Sequence, residues 1–433
     1  MDTGLATLIL FGVFFVLLFT GVPIAVGIAI ASIATVLTVL PLDMAIFTLT
    51  QRLFAGVDSF TLLALPFFIL AGQLMNKGGI AIRLVRLAQM IGGRLPGSLY
   101  QANVVGNMLF GSISGSTVAS AAAIGGILAP MQEKEGYDRS LSAAVNIASA
   151  PTGILIPPSG PLILYSLVSG GTSIAALFLA GYIPGLIMGV SIMIVSGFMA
   201  YRSGLRGGAP LAWGEKARII IEAIPALLLI VIVMGGIVGG IFTATEGAAI
   251  AVLYSFILAI LYKEVKIGDL PKIFGESLRN SSYILFLIAT SSMMAYAMTL
   301  TNIPSAIVGM VEGVSSNPII ILLMMNVTLV LISTFLDITP AILLFTPIFL
   351  PIAQQLNMDP VHFGIMLAFN MTLGNITPPV GTVLFVGCAV GKVTIEEVVP
   401  KLLPFFLLLF VLLLVIAYVP SISLFLPRVL GMI

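Results

Sequence analysis

The sequence predicts an all-α polytopic membrane protein made of two inverted-topology repeats, each with five crossings, one re-entrant hairpin and one broken helix. Three observations predict it. Apolar residues make up 59% of the chain and charged residues 8%, with a mean hydropathy of +1.20. Soluble domains carry about 25% charge. Second, a double proline sits inside a long apolar segment, in Gly153-Ile-Leu-Ile-Pro157-Pro158-Ser-Gly160. One proline disrupts a helix, and two adjacent ones all but forbid its continuation. Third, the same construction returns as Gly374-Asn-Ile-Thr-Pro378-Pro379-Val-Gly381, shifted by 221 residues (374 less 153). That shift also carries Ser112 onto Ser333, Pro130 onto Pro351 and Asp138 onto Asp359. A broken apolar helix present twice in one register marks a secondary transporter built from internal repeats.

The elements follow in order. Apolar runs long enough to cross a bilayer lie near residues 4–20, 23–40 and 60–76. Between them, 43–58 carries Asp43, Arg52 and Asp58 and is expected as an amphipathic helix along the interface. The stretch of about 98–130 has a polar centre, Gly111-Ser-Ile-Ser-Gly-Ser-Thr117, which leaves each half too short to cross. It is expected as a re-entrant hairpin, tolerable at that depth only when buried in protein or lining a wet cavity. A broken helix at about 141–168 and a crossing at 173–201 complete the first repeat. Crossings at 219–242, 245–262 and 280–301 open the second. A second hairpin at about 318–353 turns around Ser333-Thr-Phe-Leu-Asp337-Ile-Thr-Pro340. A broken helix at about 361–390 and a crossing at 402–427 close it. The crossings number ten.

Composition excludes several classes. One cysteine (Cys388) and one histidine (His362) give no disulfide framework and no zinc, haem or iron–sulfur ligand set. A net charge of +1 with so little polar surface speaks against nucleic acid as a partner. Met1 to Thr20 lacks a basic start and a small-residue cleavage site, so it reads as a retained crossing.

Charge sets the orientation. Lys77, Arg83, Arg86 and Arg94 fall in 77–97. Arg202, Arg206, Lys216 and Arg218 fall in 202–218, and Lys263, Lys266, Lys272 and Arg279 in 263–279. The stretches 302–317 and 354–360 hold no Lys or Arg. Positive loops stay cytoplasmic, which places both termini outside. Five crossings is an odd number, so the second repeat, 219–433, is inverted relative to the first, 1–201, with 202–218 as the cytoplasmic linker. The two hairpins then enter from opposite sides and their tips meet near the midplane.

A broken helix frees carbonyls and N–H groups from their partners. Carbonyl and hydroxyl oxygens suit a hard cation such as Na⁺, and freed N–H groups suit a carboxylate. The first cation site is expected from Ser112, Ser114 and Ser116 with carbonyls near Gly153, Ile156 and Pro158. The second is expected from Ser333, Thr334 and Asp337 with Gly374, Thr377 and Val380. Candidate substrate contacts are Ser114, Ser116, Ser159, Thr172, Asp337 and Thr339. Asp337 could instead cap a helix at the second tip, and the serines could serve only close packing. Glu246, after Thr243-Ala-Thr245, fits a helix start better than a ligand. No Lys or Arg lies in the tips or breaks, so an anion would depend on N–H groups, hydroxyls and bound cations. Each ligand then raises the other's affinity.

The chain resembles, along its whole length, the large membrane subunit of tripartite ATP-independent periplasmic (TRAP) transporters. The resemblance rests on Thr20-Gly-Val-Pro23, Leu65-Pro-Phe-Phe-Ile-Leu-Ala-Gly72, Gly111-Ser-Ile-Ser-Gly-Ser116, Ala148-Ser-Ala-Pro-Thr-Gly153 with Pro157-Pro-Ser159, Thr245-Glu246, Asp337-Ile-Thr-Pro340 and Thr377-Pro-Pro-Val-Gly381. It implies a sodium-coupled importer of a small organic acid, a C4-dicarboxylate or sialic acid for example, in a bacterial inner membrane. It implies a small four-helix membrane subunit and a periplasmic substrate-binding protein as partners. It also implies an elevator mechanism of the ion-transporter-superfamily kind, with Na⁺ at the hairpin tips and no organic cofactor. One departure stands out: Ala119-Ser120-Ala121-Ala122 occupies the place where the family usually reads Ala-Asp-Ala-Ala.

The alternative is a stand-alone sodium/dicarboxylate symporter without a binding protein. A passive channel is a poor fit to two closed hairpins. An intramembrane hydrolase would need a nucleophile with a paired base, and the one histidine is expected far from the serine tips.

Overall fold

The computed structural model describes residues 3–208, 212–315 and 317–433, and every regular element among them is helical. Helices α1 (Thr3–Phe19) and α2 (Ile24–Val36) pack against each other. Helix α3 (Leu42–Val57) is the expected amphipathic segment. It buries Ala45 and Leu49 and sets Arg52 4.8 Å from the Tyr296 ring. A 3₁₀ turn leads into α4 (Ala64–Lys77), and then comes an element read from the sequence as a loop, α5 (Ile80–Gly92). Ile80, Leu84, Leu87 and Ala88 recur at helical spacing and are buried, while Arg83 and Arg86 take the other face.

Helix α6 (Ser98–Ser114) and α7 (Thr117–Lys134) form the first hairpin. Its turn needs Gly115, at φ +62°, and Ser116 caps α7 by accepting from the Ala119 N–H at 3.2 Å. The first broken helix consists of α8 (Arg139–Ser149), the single turn α9 (Thr152–Leu155) and α10 (Gly160–Val168), with a 50° bend at the break. Asp138 caps α8. Helix α11 (Ile174–Arg202) follows.

Helix α12 (Trp213–Val238) starts earlier than expected, so Lys216 and Arg218 ride on its first turns and not in a connection. Residues 209–211 of the expected linker lie outside the described residues. Helix α13 (Ala244–Leu261) begins with a capping box, in which Thr243 and Glu246 satisfy each other's N–H groups. Helix α14 (Leu270–Leu300) absorbs the basic stretch that carries Lys272 and Arg279. The expected outer loop 302–317 contains a helix, α15 (Ile303–Val314).

Helix α16 (Pro318–Ser333) and α17 (Ile338–Gln355) form the second hairpin. Helix α18 (Pro360–Asn375), capped by Asp359, and α19 (Thr382–Gly391) form the second broken helix. The last expected crossing, 402–427, is displaced. A capping box at Thr394 and Glu397 starts α20 (Ile395–Tyr418) seven residues early, and Pro420 opens the separate α21 (Pro420–Val429).

By length and composition, seven helical segments among the described residues can cross a membrane. Six coincide with expected crossings, and the seventh is α17, the second arm of the second hairpin. The expected crossings at 4–20 and 23–40 are shorter apolar helices of 17 and 13 residues, and α18 and α19 are separated by their break. Large apolar side chains such as Leu8, Ile194, Val231 and Val411 face outward, as a lipid-facing wall requires.

The helices sort into two bodies. In one, α4 packs on α13 and α14, and α14 on α2 and α3. In the other, the two hairpins and two broken helices interlock crosswise. Helix α10 of the first break packs on α17 of the second hairpin, and α19 of the second break packs on α7 of the first.

Candidate functional site

Each hairpin tip is pressed against its broken helix through a glycine. Gly153 faces Gly111 and Ser112 so closely that an added β-carbon would overlap the Gly111 backbone and fall 2.8 Å from the Ser112 nitrogen. Gly374 stands in the same relation to Ser333. The serines match as well. The Ser112 hydroxyl donates to the Leu109 carbonyl at 2.9 Å, and the Ser333 hydroxyl to the Val330 carbonyl at 2.9 Å, with the Asn370 carbonyl at 3.3 Å. Donating in this way leaves each hydroxyl's lone pairs free for a cation. Both double prolines have cis peptide bonds.

The two breaks differ in exposure. Pro157, Pro158 and Ser159 are buried, whereas Pro378, Pro379 and Val380 are exposed. Ser159 precedes α10 without capping it, and its Oγ is buried with no hydrogen-bond partner among the described residues. Ile156 ends α9 in extended conformation. At the second break, the Thr377 hydroxyl donates to the Leu373 carbonyl at 2.6 Å. The carbonyls of Asn375 and Thr377 converge on Gly381, each 2.7 Å from where its β-carbon would be.

Asp337 occupies the N-cap position of α17 but makes no capping bond. Its Oδ1 accepts from Asn375 Nδ2 and Thr382 Oγ1, both at 3.3 Å, and Thr382 also donates to Asn375 Oδ1 at 3.0 Å. The carboxylate thus ties the second tip to the second break, through Asn375 and Thr382, partners that the sequence reading did not name.

Between the two bodies lies a cavity of about 350 Å³. Ser114, Ser116, Pro158, Asp337 and Thr339 line it, so the fold gathers five of the candidate residues from both hairpins and the first break. Ser112, Gly153, Ser333 and Gly374 stand behind the tips and not in its wall. Thr172 is elsewhere. Its hydroxyl accepts from Ser169 at 2.7 Å and its carbonyl accepts from Ser166, which holds the turn after α10 together, away from the cavity wall. Glu246 is occupied by its capping box. His362 is buried between Ser423 (2.6 Å) and the Ala417 carbonyl (3.2 Å), so no base is paired with the tip serines.

The facing wall comes from α4 and α14 and contains groups that the sequence reading missed: Gln73, Asn76, Asn280 and Tyr283. The only signal for Gln73, Asn76 and Asn280 was a neutral amide inside or at the edge of an apolar run, and Tyr283 gave none. Asp337 is the one charged side chain in the lining among the described residues. Ser120 is outside the cavity, buried, and donates to Asn107 Oδ1 at 2.7 Å.

Comparison with known proteins agrees with this architecture. Residues 11–422 match the family described as tripartite ATP-independent periplasmic transporter, DctM component. The chain is 53% identical over 420 residues to the uncharacterised protein YgiK of Salmonella typhimurium, covering 97% of each chain. It is 37% identical to the C4-dicarboxylate TRAP transporter large permease protein DctM of Pseudomonas aeruginosa, covering 89% of this chain and 90% of that one. Among solved structures, the Alcanivorax borkumensis YdaH transporter superimposes with a TM-score of 0.63 at 12% identity, over 87% of this chain and 88% of that one. At that identity the likeness is one of fold.

Proposed function

Because this chain belongs to the family of DctM components of tripartite ATP-independent periplasmic transporters, we propose that it is the sodium-driven, moving-barrier subunit of an organic-acid importer. It is a multi-pass protein of a bacterial inner membrane and the large permease of a binding-protein-dependent secondary transporter. A small four-helix membrane subunit and a periplasmic binding protein complete the system. The cargo is a small carboxylate, in line with the cargo named for the Pseudomonas relative.

One observation carries the proposal. Two glycine-to-tip contacts, Gly153 on Gly111 and Ser112 and Gly374 on Ser333, recur 221 residues apart and flank one cavity. Each contact sets a tip serine beside the turn that precedes a helix break, and the hydroxyls and freed carbonyls of those segments are a donor set suited to Na⁺. Residues Ser112, Ser114, Gly153, Ile156 and Pro158 would hold one ion. Ser333, Gly374, Thr377 and Val380 would hold the other. Ser114, Ser116, Ser159, Asp337 and Thr339 would face the carboxylate's side of the site. Bound cations compensate the anion, so neither binds well alone, and the coupling is reciprocal.

In transport, the hairpins and broken helices move as one body against the wall of α4 and α14, which is the elevator reading. The cavity reaches Asn76 and Asn280, beside Lys77 and Arg279. Basic ends face the cytoplasm, which sets that end of the wall on the cytoplasmic side.

The test is uptake into proteoliposomes carrying both membrane subunits, with the binding protein outside. Uptake driven by an inward Na⁺ gradient and absent in choline at the same membrane potential supports the proposal. Equal uptake in both salts refutes it.

A further inference from the structure

We infer that the cargo is a polyhydroxylated monocarboxylate of the aldonate or uronate class, and that Gln73, Asn76 and Asn280 read its hydroxyl groups. This inference rests on the sodium-coupled carboxylate reading above and narrows it.

The first argument is charge. The cavity lining holds one carboxylate, Asp337, and no Lys or Arg among the described residues. Arg is the usual partner where a site must grip a carboxylate in two places. Two Na⁺ ions balance Asp337 and one cargo carboxylate, leaving the loaded site neutral. A dianion would leave the loaded site with a net negative charge and no Lys or Arg in the lining to offset it.

The second argument is the chemistry of the facing wall. Gln73, Asn76 and Asn280 make no side-chain hydrogen bond among the described residues, although each lines the cavity. An amide offers a donor and an acceptor side by side. A carboxylate is acceptor-only and uses just the N–H half. A hydroxyl donates and accepts, and so satisfies both halves. Three such amides on one wall match a row of hydroxyls and not a second carboxylate.

The third argument is shape. Phe68 and Tyr283 line the same wall and offer aromatic surface to the C–H face of a sugar chain. The volume, about 350 Å³, suits one small molecule and falls in the usual range of ligand pockets. The arrangement divides the labour: the moving tips and breaks hold the carboxylate and its ions, and the fixed wall sorts cargo by its hydroxyls.

The experiment is thermal denaturation of the purified complex of this chain with its small membrane partner, in NaCl and in choline chloride. The probes are D-gluconate, D-galactonate, D-glucuronate and D-galacturonate, with succinate and hexanoate as the dianionic and hydroxyl-free comparisons. At least one sugar acid is expected to raise the melting temperature in NaCl, while succinate and hexanoate do not. Asn280→Leu, at a position exposed to the cavity, is expected to weaken that sugar acid by about tenfold or more. Sodium alone should still stabilise this variant as it does the parent. Succinate or hexanoate stabilising as well as the best sugar acid would overturn the inference. So would no response to any sugar acid, or an unchanged affinity in Asn280→Leu. A sugar acid that binds equally in choline would leave the cargo class standing and remove the sodium coupling.

Discussion

Gly374 lies against Ser333 with no room for a single methyl group, and Gly153 lies against Gly111 and Ser112 in the same way, 221 residues earlier. Each contact joins the tip of a hairpin to the last turn before a helix break. Tip and break come this close only because the intervening residue has no side chain.

Gly153→Ala and Gly374→Ala are therefore expected to push tip and break apart. Overpacking of this kind costs about 1–3 kcal/mol, and the spacing of the oxygens changes with it. Both variants should lose most uptake, and the stabilisation by NaCl over choline chloride should shrink in thermal melts. A variant that melts lower yet keeps the full sodium response would show that the contact is packing alone.

Asp337 stands at the start of α17 but leaves the helix uncapped, spending its Oδ1 on Asn375 and Thr382 across the gap. Asp337→Asn removes the charge without taking a cap from α17. The expected result is a near-native melting temperature and an apparent Na⁺ affinity lowered by about tenfold or more, since charge-assisted contacts are the stronger ones. Uptake measured across a sodium titration checks it. An unchanged midpoint would remove Asp337 from the coupling machinery. Ser114→Ala, at the tip of the first hairpin, should lower uptake in the same assay while leaving the fold intact.

Glu246 is an acid at the start of α13, and its role is different. Its carboxylate accepts from the Thr243 N–H at 2.8 Å, and the Thr243 hydroxyl receives the Glu246 N–H in return. Thr243→Ala should cost about 1 kcal/mol through the lost cap. Glu246→Gln, which preserves an acceptor, should transport within about twofold of the parent. A large loss of sodium response in Glu246→Gln would place this residue in the coupling machinery after all.

The breaks and tips were legible because proline removes a donor and glycine permits close approach, both properties of single residues. Asp138 and Asp359 were legible only as one more pair in the 221-residue register, and their capping of α8 and α18 shows in the fold. Other features depend on which way a side chain faces, which a single sequence does not state. The charges of Arg83 and Arg86 hid α5, whose buried face is Ile80, Leu84, Leu87 and Ala88. Gln73 and Asn280 carry no charge to draw attention, and only the packing of α4 and α14 turns them toward the tips. Asn375 stood inside the second break motif, yet its partner Thr382 lies past the prolines, and the pair exists only in the folded form. Thr172 looked like a third polar group near the first break. Bonds from Ser166 and Ser169 instead hold it at the end of α10.

Ser120 is a buried structural donor. Its hydroxyl reaches Asn107 Oδ1 at 2.7 Å. The Asn107 Nδ2 is shared by Asn103 Oδ1 at 2.9 Å, Ser149 Oγ at 2.8 Å and Asn146 Oδ1 at 3.1 Å. This cluster binds both arms of the first hairpin to α8. Ser120→Ala leaves the Asn107 carbonyl oxygen buried and unpaired, at a cost of about 1–3 kcal/mol. Ser120→Asp should cost more, because it sets a carboxylate against an acceptor. Turning the Asn107 amide to meet it would forfeit the bonds on its other side. The expected order of melting temperatures is parent, then Ser120→Ala, then Ser120→Asp. The sodium midpoint of Ser120→Ala should stay near the parent's, since this residue is not in the cavity wall. If Ser120→Asp melts above the parent and sharpens its sodium response, the cluster is a vacant ion site, and serine has replaced a ligand.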